Sequence, residues 1–147
     1  MPDQEGVEIL LVEDNPNDAN LIVKVLEKHN FIKKVHVVNE GEKAIDFLFA
    51  KGEFTGRKGR DLPKLVILDL NLPKMSGLEV LKEMRTNELT EKLPVVVMTV
   101  SKEEADMLAS YRLNINRYIV KPAKFDEFDK ELSELALHWF LFRNLPE

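Results

Sequence analysis

Cysteine is absent from this 147-residue chain, which excludes both a disulfide framework and a thiolate metal site. An excess of positive charge is also absent, because 26 acidic residues outnumber 21 lysines and arginines and leave a net charge of -5. A nucleic-acid-binding surface normally has a basic face, so we expect no nucleic-acid partner. A short basic cluster, Arg57, Lys58 and Arg60, is followed directly by Asp61, and we interpret it as part of a solvated loop.

Long hydrophobic runs are missing as well, and no apolar stretch is long enough to span a bilayer. The amino-terminal residues MPDQEGVEI are acidic and lack the basic and apolar regions of a signal peptide. We therefore expect a cytoplasmic protein without a membrane partner. The hydrophobic share of 44% and the length, with no break in composition, predict a single domain over residues 1–147.

Short apolar runs alternate with segments of helical spacing along the chain. The runs that predict strands cover residues 7–12, 34–38, 64–70, 93–99 and 117–120. Helices are predicted from Pro16 to about 26, over roughly 41–51, 76–84 and 101–114, and from about Phe125 to Phe142. Two of them open on a capping-box pattern, Ser76 with Glu79 and Ser101 with Glu104. The alternation predicts an α/β fold, with an open parallel sheet and helices on both of its faces.

Reactive polar residues stand where four of the five predicted strands end. The run LVILDLNLPKMSG carries Asp69 at the end of its strand, with turn residues after it. The other strands end in Glu13 and Asp14, in Thr99 and in Lys121, whereas the second strand ends in nothing distinctive. Because functional sites in open parallel sheets lie at the carboxyl ends of the strands, we expect these side chains to face one edge.

Three carboxylates at one edge of a sheet repel each other unless a cation lies among them. Magnesium prefers oxygen ligands, usually from one or two carboxylates together with waters and a phosphoryl group. We therefore predict Mg²⁺ as the cofactor, with Asp14 and Asp69 as direct ligands. The backbone carbonyl of Asn71 is a candidate third ligand, and Glu13 is a candidate for contact through water.

Phosphoryl transfer is the chemistry that such a set of residues supports, since it depends mainly on positioning and on neutralising charge. Asp69 is the best candidate nucleophile, because it ends the central strand and the turn after it exposes its oxygens. Lys121 can pair with Asp69 or with a phosphoryl oxygen. Thr99 can donate its hydroxyl to the same place.

Four sequence blocks carry a family resemblance: VEDN, DLNLPKMSG, VVVMTVS and YIVKP. In order and spacing they resemble the motif blocks of CheY-like response regulator receiver domains, over about residues 7–143. The resemblance implies a flavodoxin-like (βα)5 three-layer sandwich with strand order 2-1-3-4-5. It also implies magnesium-dependent phosphorylation of Asp69 by a sensor histidine kinase. In this family Thr99 and Tyr118 would form a switch pair, and Lys121 would precede a proline, Pro122, that is typically cis.

A narrower resemblance involves the insertion KGEFTGRKGRDLP, the run LDLNLPK and the aromatic carboxyl-terminal helix. These are similar to stand-alone regulators paired with cyanobacterial phytochromes, which implies a phytochrome-type kinase partner. Because the sequence ends at Glu147, we expect no output domain and an output through protein contacts. In the last turns of the carboxyl-terminal helix, the apolar arc is wider than packing of the helix on the sheet requires. Candidates for a homodimer or partner interface are therefore Trp139, Phe140 and Phe142.

Two other functions stay open at this point. A pseudo-receiver would keep the fold without phosphorylation, although the intact acidic, threonine and lysine residues argue against it. A phosphatase or phosphotransferase with an aspartyl-phosphate intermediate needs a general acid two residues after the nucleophile, where this chain has Asn71. We therefore expect no turnover of a separate substrate. Val100, which follows Thr99, is larger than the residue usual in the family and predicts slower phosphorylation and hydrolysis.

Overall fold

The computed structural model describes residues 6–29, 34–57, 61–121 and 125–142, with the backbone alone for Phe125 and residues 139–142. Pro122 and the side chains of Trp139, Phe140 and Phe142 therefore lie outside the described residues, and so do the predictions made for them. In the part of the chain that is described, no helix has both the length and the apolar character needed to cross a membrane.

Within the described ranges, five strands and five α-helices alternate as the sequence predicts. The strands β1 to β5 are Ile9–Val12, Val35–Val38, Leu65–Asp69, Val95–Thr99 and Arg117–Val120. The helices α1 to α5 are Pro16–Glu27, Gly41–Phe49, Gly77–Arg85, Lys102–Ala109 and Phe125–Phe142, and a short 3-10 helix, Gly52–Phe54, follows α2. All strand pairs are parallel, and the order β2-β1-β3-β4-β5 confirms the predicted flavodoxin-like topology.

The register of the central strand, β3, determines where the functional edge of the sheet lies. Val12 of β1 pairs with Leu68, and Met98 of β4 pairs with Asp69, so these three strands end at nearly the same level. Every residue of β1, β3 and β4 is buried, which explains their continuous apolar runs, because helices cover both faces. Alternate side chains enter two cores, one formed with α2 and α3 and the other with α1 and α5.

The helix starts follow the predicted capping residues. Asn15 accepts hydrogen bonds from two amide nitrogens in the first turn of α1, at 2.9 and 3.1 Å. Ser76 and Ser101 each accept one from the third residue of the helix that follows, at 3.2 and 3.1 Å. Helix α4 ends at Ala109 and not at the predicted 114. The backbone of Arg112 is left-handed, with a φ of 55°, and a right-handed helix cannot continue through that conformation.

The prediction of a solvated loop is wrong for Arg57. Its residue surface is only 6% exposed, and its guanidinium lies 4.1 Å from the centroid of the Phe47 ring. The same guanidinium donates a hydrogen bond to the carbonyl oxygen of Phe47 at 2.7 Å, and Phe54 packs edge-on against that ring. A planar guanidinium stacks well on an aromatic face, so this arginine packs where a lysine would not. Lys58 and Arg60 lie outside the described residues.

His36 packs with the rings of Phe47 and Phe54, and its environment makes the stability of the protein depend on pH. Its ring stacks on Phe47 with a centroid separation of 4.8 Å. Burial lowers the pKa of His36 below its usual value of 6.5, and the charge of Arg57 lowers this pKa further. The folded state therefore takes up this proton less readily than the unfolded state. The resulting contribution to stability is present above pH 6.5 and is lost as the pH falls below that value.

Replacing His36 with phenylalanine keeps an aromatic ring and removes the titrating group. We expect the free energy of unfolding to fall less between about pH 7.5 and about pH 5.5 in His36→Phe than in the wild type, as measured by urea denaturation. Other titrating groups contribute to both proteins, so the difference between the two slopes isolates His36. Identical slopes for wild type and His36→Phe would contradict the expectation.

Candidate functional site

Three carboxylates lie together at the carboxyl edge of the sheet. Ligand oxygens of Glu13, Asp14 and Asp69 lie within 4.8 Å of one another. Glu13 and Asp69 are only 1% and 2% exposed, whereas Asp14 faces the solvent. The end of β1 supplies the first two residues and the end of β3 supplies the third, as the paired register of these strands requires. The arrangement leaves one open carboxylate beside two buried ones.

The ammonium group of Lys121 contacts the two buried carboxylates and a further one, that of Asp18. Its Nζ lies 2.7 Å from Glu13 Oε1, 3.0 Å from Asp69 Oδ2 and 3.3 Å from Asp18 Oδ2. The lysine follows β5 directly, and its backbone nitrogen donates to the carbonyl oxygen of Thr99 at 2.8 Å, which fixes its entry to the site. Burial by itself lowers the pKa of Lys121, but hydrogen bonds and charges from Glu13 and Asp69 outweigh burial and raise the pKa above its usual value. Lys121 therefore carries its positive charge in the site.

Asp18 is a member of this cluster that sequence reasoning missed. It lies in the first turn of α1, where an acidic residue is common simply because it opposes the helix dipole. The available signal was its position four residues after Asp14, which places it one helical turn beyond the end of β1, on the same edge of the sheet. The structure shows that it also contacts Lys121.

Glu13 has a protonation equilibrium close to neutral pH. Burial raises the pKa of Glu13 to about 7, and the neighbouring Asp69 carboxyl adds to the rise, while Lys121 opposes it. Its Oε2 also accepts a hydrogen bond from the backbone nitrogen of Asn15 at 3.2 Å. Glu13 is thus fixed by direct protein contacts on both of its oxygens.

The segment after Asp69 turns sharply, and its backbone donates a hydrogen bond to the Asp69 carboxylate. The backbone nitrogen of Asn71 donates to Asp69 Oδ1 at 2.9 Å. Gly77, the first residue of α3, returns to the end of β3 and donates from its backbone nitrogen to the carbonyl oxygen of Leu70 at 3.1 Å. A Cβ at Gly77 would lie 2.5 Å from the carbonyl oxygen of Asp69, so only glycine permits this close approach.

Thr99 ends β4 at the site, and in this structure its hydroxyl has a backbone acceptor. The side chain is fully buried, and Oγ1 donates to the carbonyl oxygen of Ser101 at 3.0 Å, in the loop that precedes α4. A buried hydroxyl needs an acceptor, and the backbone of this loop provides one. Val100 is 61% exposed, so most of its side chain faces solvent. Tyr118 is half-buried against the core that contains α2 and α3, and burial raises its pKa.

The residues at this edge fit a divalent cation such as magnesium. Glu13, Asp14 and Asp69 offer hard carboxylate oxygens from a compact group, and hard oxygens are the donors that such cations take. The cation would also offset the repulsion among the carboxylates that Lys121 offsets only in part.

Comparison with known proteins agrees with this geometry. Residues 9–133 match the model of the response regulator receiver domain. The chain is 36% identical over 138 residues to the response regulator Rcp1 of Synechocystis, covering 94% of this chain and 92% of that protein. It is also 35% identical to the probable methanogenesis regulatory protein FilR2 of Methanothrix harundinacea, over 94% of this chain and 86% of that one.

Solved structures show the same relationship at the level of the fold. The phosphorylated cyanobacterial phytochrome response regulator RcpA superposes with a TM-score of 0.84 and 35% identity, over 96% of this chain and 99% of the other. The Mn²⁺-bound form of Rcp1 gives the same TM-score, identity and coverage, which supports divalent metal binding in receiver domains of this kind. With a matching family model across most of its length and close relatives of the same size, this chain belongs to the response regulator receiver domain family.

Proposed function

We propose that this protein is a single-domain response regulator of a two-component phosphorelay and that it accepts a phosphoryl group on Asp69. The observation that carries this proposal is the environment of the Asp69 carboxylate. It ends the central strand, receives a hydrogen bond from the backbone nitrogen of Asn71 on one oxygen and contacts the Lys121 ammonium through the other. A carboxylate held in this way is oriented for attack, while two adjacent carboxylates provide for a cation.

The residues would divide the chemistry among them. An oxygen of Asp69 forms a bond to phosphorus while the bond from phosphorus to the donor breaks, and the donor group keeps the electron pair of that bond. Lys121, 3.0 Å from Asp69, offsets negative charge on the transferring group. Asp14, Asp69 and the backbone carbonyl of Asn71 would hold Mg²⁺, with Glu13 through water. Bound magnesium supplies charge neutralisation for the transfer.

The conformational response would start at Thr99 and Tyr118. In this structure the Thr99 hydroxyl donates to Ser101, and the Tyr118 ring is half-buried. We propose that a phosphoryl group on Asp69 attracts the hydroxyl of Thr99, which frees the loop before α4 and lets Tyr118 turn further inward. Protein contacts on this side of the molecule would then read the change.

The partner that we propose is a sensor histidine kinase, of phytochrome type, acting in the cytoplasm. The support is the similarity to RcpA, which is a cyanobacterial phytochrome response regulator, over 96% of this chain. We propose no turnover of a separate substrate, since Asn71 stands where a phosphatase of similar fold would need a general acid. A homodimer through the carboxyl-terminal helix stays a prediction.

Intact mass measurement tests the proposed chemistry. Incubation with a small-molecule phosphodonor and magnesium is expected to add one phosphoryl group to the wild type, and both a chelator and Asp69→Asn are expected to abolish the gain. Asp106→Asn is the matched control, because Asp106 is exposed on α4, and it should gain the group normally. A gain by Asp69→Asn would refute Asp69 as the acceptor. A folded wild-type protein that gains nothing would favour the pseudo-receiver.

A further inference from the structure

The carboxylate of Glu104 bridges the two loops that border Asp69. Its Oε1 accepts a hydrogen bond from the side-chain amide of Asn71 at 3.0 Å and another from the backbone nitrogen of Val100 at 3.2 Å. Asn71 lies in the loop after β3, and Val100 lies in the loop after β4. One oxygen atom in the first turn of α4 therefore connects both loops.

This contact differs from what the capping-box pattern predicts. In a capping box the glutamate side chain returns to the backbone nitrogen of the capping residue, which here is Ser101. The backbone half of the pattern is present, because Glu104 donates from its nitrogen to Ser101 Oγ at 3.1 Å. The carboxylate instead accepts from Val100, one residue earlier, and from Asn71 across the site. The side chain is thus used to connect loops and not only to cap the helix.

A continuous series of hydrogen bonds links Asp69 to the residue after Thr99. Asp69 Oδ1 accepts from the backbone nitrogen of Asn71, the side chain of Asn71 donates to Glu104, and Glu104 accepts from Val100. The Thr99 hydroxyl, bonded to Ser101, is held in the same loop. A displacement of the Thr99 backbone toward Asp69 also displaces the adjoining Val100, and this lengthens or breaks the hydrogen bond from Val100 to Glu104.

We propose that Glu104 is a positioning residue that holds these two loops in the resting arrangement and thereby slows phosphoryl gain at Asp69. This inference rests on the proposed function. Two physical effects act in the same direction. Glu104 occupies two hydrogen-bond donors beside the site, for which an incoming phosphoryl group would compete as a strong acceptor. Its negative charge also disfavours the approach of a second anion.

Removing the side chain tests the structural part without any phosphodonor. In Glu104→Ala the backbone amide of Val100 loses its acceptor, so we expect its hydrogen exchange, followed by NMR, to become about tenfold faster. Glu103→Ala is the matched control, because Glu103 is the preceding residue, is exposed and carries the same charge. In Glu103→Ala the hydrogen exchange of the Val100 amide should equal that of the wild type.

The kinetic part uses intact mass with magnesium and a small-molecule phosphodonor. Glu104→Ala is expected to gain the phosphoryl group about three- to tenfold faster than the wild type and Glu103→Ala, which is the factor that the net contribution of one ordinary hydrogen bond accounts for. Asn71→Ala removes the partner side chain and should accelerate the gain as well. Both changes break the same bridge. The acceleration in the double variant, relative to the wild type, should therefore be smaller than the product of the two single accelerations.

The results separate this inference from the proposed function. The role of Glu104 would be overturned by any of three results: hydrogen exchange at Val100 that is equal in Glu104→Ala and the wild type, an unchanged rate of phosphoryl gain in Glu104→Ala, or multiplicative effects in the double variant. In each of these cases a phosphoryl gain by the wild type would still support the proposed function. If the wild type gains no phosphoryl group at all, the proposed function fails and the control of its rate by Glu104 fails with it.

Discussion

Lys121→Met is expected to lower the free energy of unfolding by about 3 kcal/mol at pH 8, because it leaves buried carboxylates without their counter-charge. The side chains of Glu13 and Asp69 are 0% and 3% exposed, and the lysine that contacts both is 21% exposed. Methionine has a similar length and fills the space, so lost packing contributes little. Urea denaturation of wild type and variant measures the difference.

The loss caused by Lys121→Met is expected to be smaller at pH 5. The pKa of Glu13 in the folded protein is about 7, above its usual 4.5, because the carboxyl is buried. Its contribution to stability is therefore fully present below pH 4.5 and is lost as the pH rises through about 7. At pH 5 the folded protein holds Glu13 neutral, and one fewer charge is left uncompensated.

Lys74→Met is the control for the change at Lys121. Lys74 is an exposed lysine, with a side chain 82% exposed, and its ammonium also faces a carboxylate, that of Glu40 at 3.6 Å. A surface ion pair of this kind is worth about 0–1 kcal/mol, so Lys74→Met should change stability little at either pH. Equal losses in the two variants would show that Lys121 does not compensate buried charge.

Gly77→Ala is expected to lower the free energy of unfolding by about 2–3 kcal/mol, because the added methyl group meets backbone on two sides. The Cβ would lie 2.5 Å from the carbonyl oxygen of Asp69 and 2.7 Å from the Cα of Leu70. Backbone cannot turn aside as a flexible side chain does, so the end of β3 or the start of α3 must move. Thermal and urea denaturation measure the loss.

The same displacement is expected to slow phosphoryl gain in Gly77→Ala by about a hundredfold, since a misplacement of about 1 Å can cost that factor in rate. Gly56→Ala is the control, because Gly56 is exposed and no atom lies within 4 Å of a Cβ built there. Its stability should stay within about 0.5 kcal/mol of the wild type, with an unchanged rate. A Gly77→Ala variant that matches Gly56→Ala in both measurements would show that the close approach is not needed.

The fold could be predicted from the sequence because its main signals, apolar runs and helix-capping residues, are local. The apolar runs of β1, β3 and β4 are buried throughout, and the capping residues Asn15 and Ser76 begin helices where predicted. Both signals depend on neighbouring residues alone. Helix α4 was predicted too long because the sequence of residues 110–114 is compatible with a helix. In the structure the helix ends at Ala109, and the left-handed backbone at Arg112 prevents a continuation to 114.

Most residues of the candidate site could be predicted in the same way, from the positions at which the strands end. In a parallel sheet, strand ends converge on one edge, so Asp14, Asp69 and Lys121 could be placed together from strand predictions and the rule that sites lie at carboxyl ends. The rule concerns backbone position. It does not say in which direction a side chain points, and the hydroxyl of Thr99, which donates to Ser101, shows the difference.

The sequence by itself determined the order of the elements, the buried strands and the edge of the sheet where the polar residues gather. Only the tertiary structure decided that Arg57 lies on the Phe47 ring, that Asp18 contacts Lys121 and that Glu104 bridges Asn71 and Val100. Charged residues in a loop or at a helix start have the same local pattern whether they face water or a partner. Their partners come from segments distant in the chain, so the packing of those segments, and not the local pattern, places these side chains.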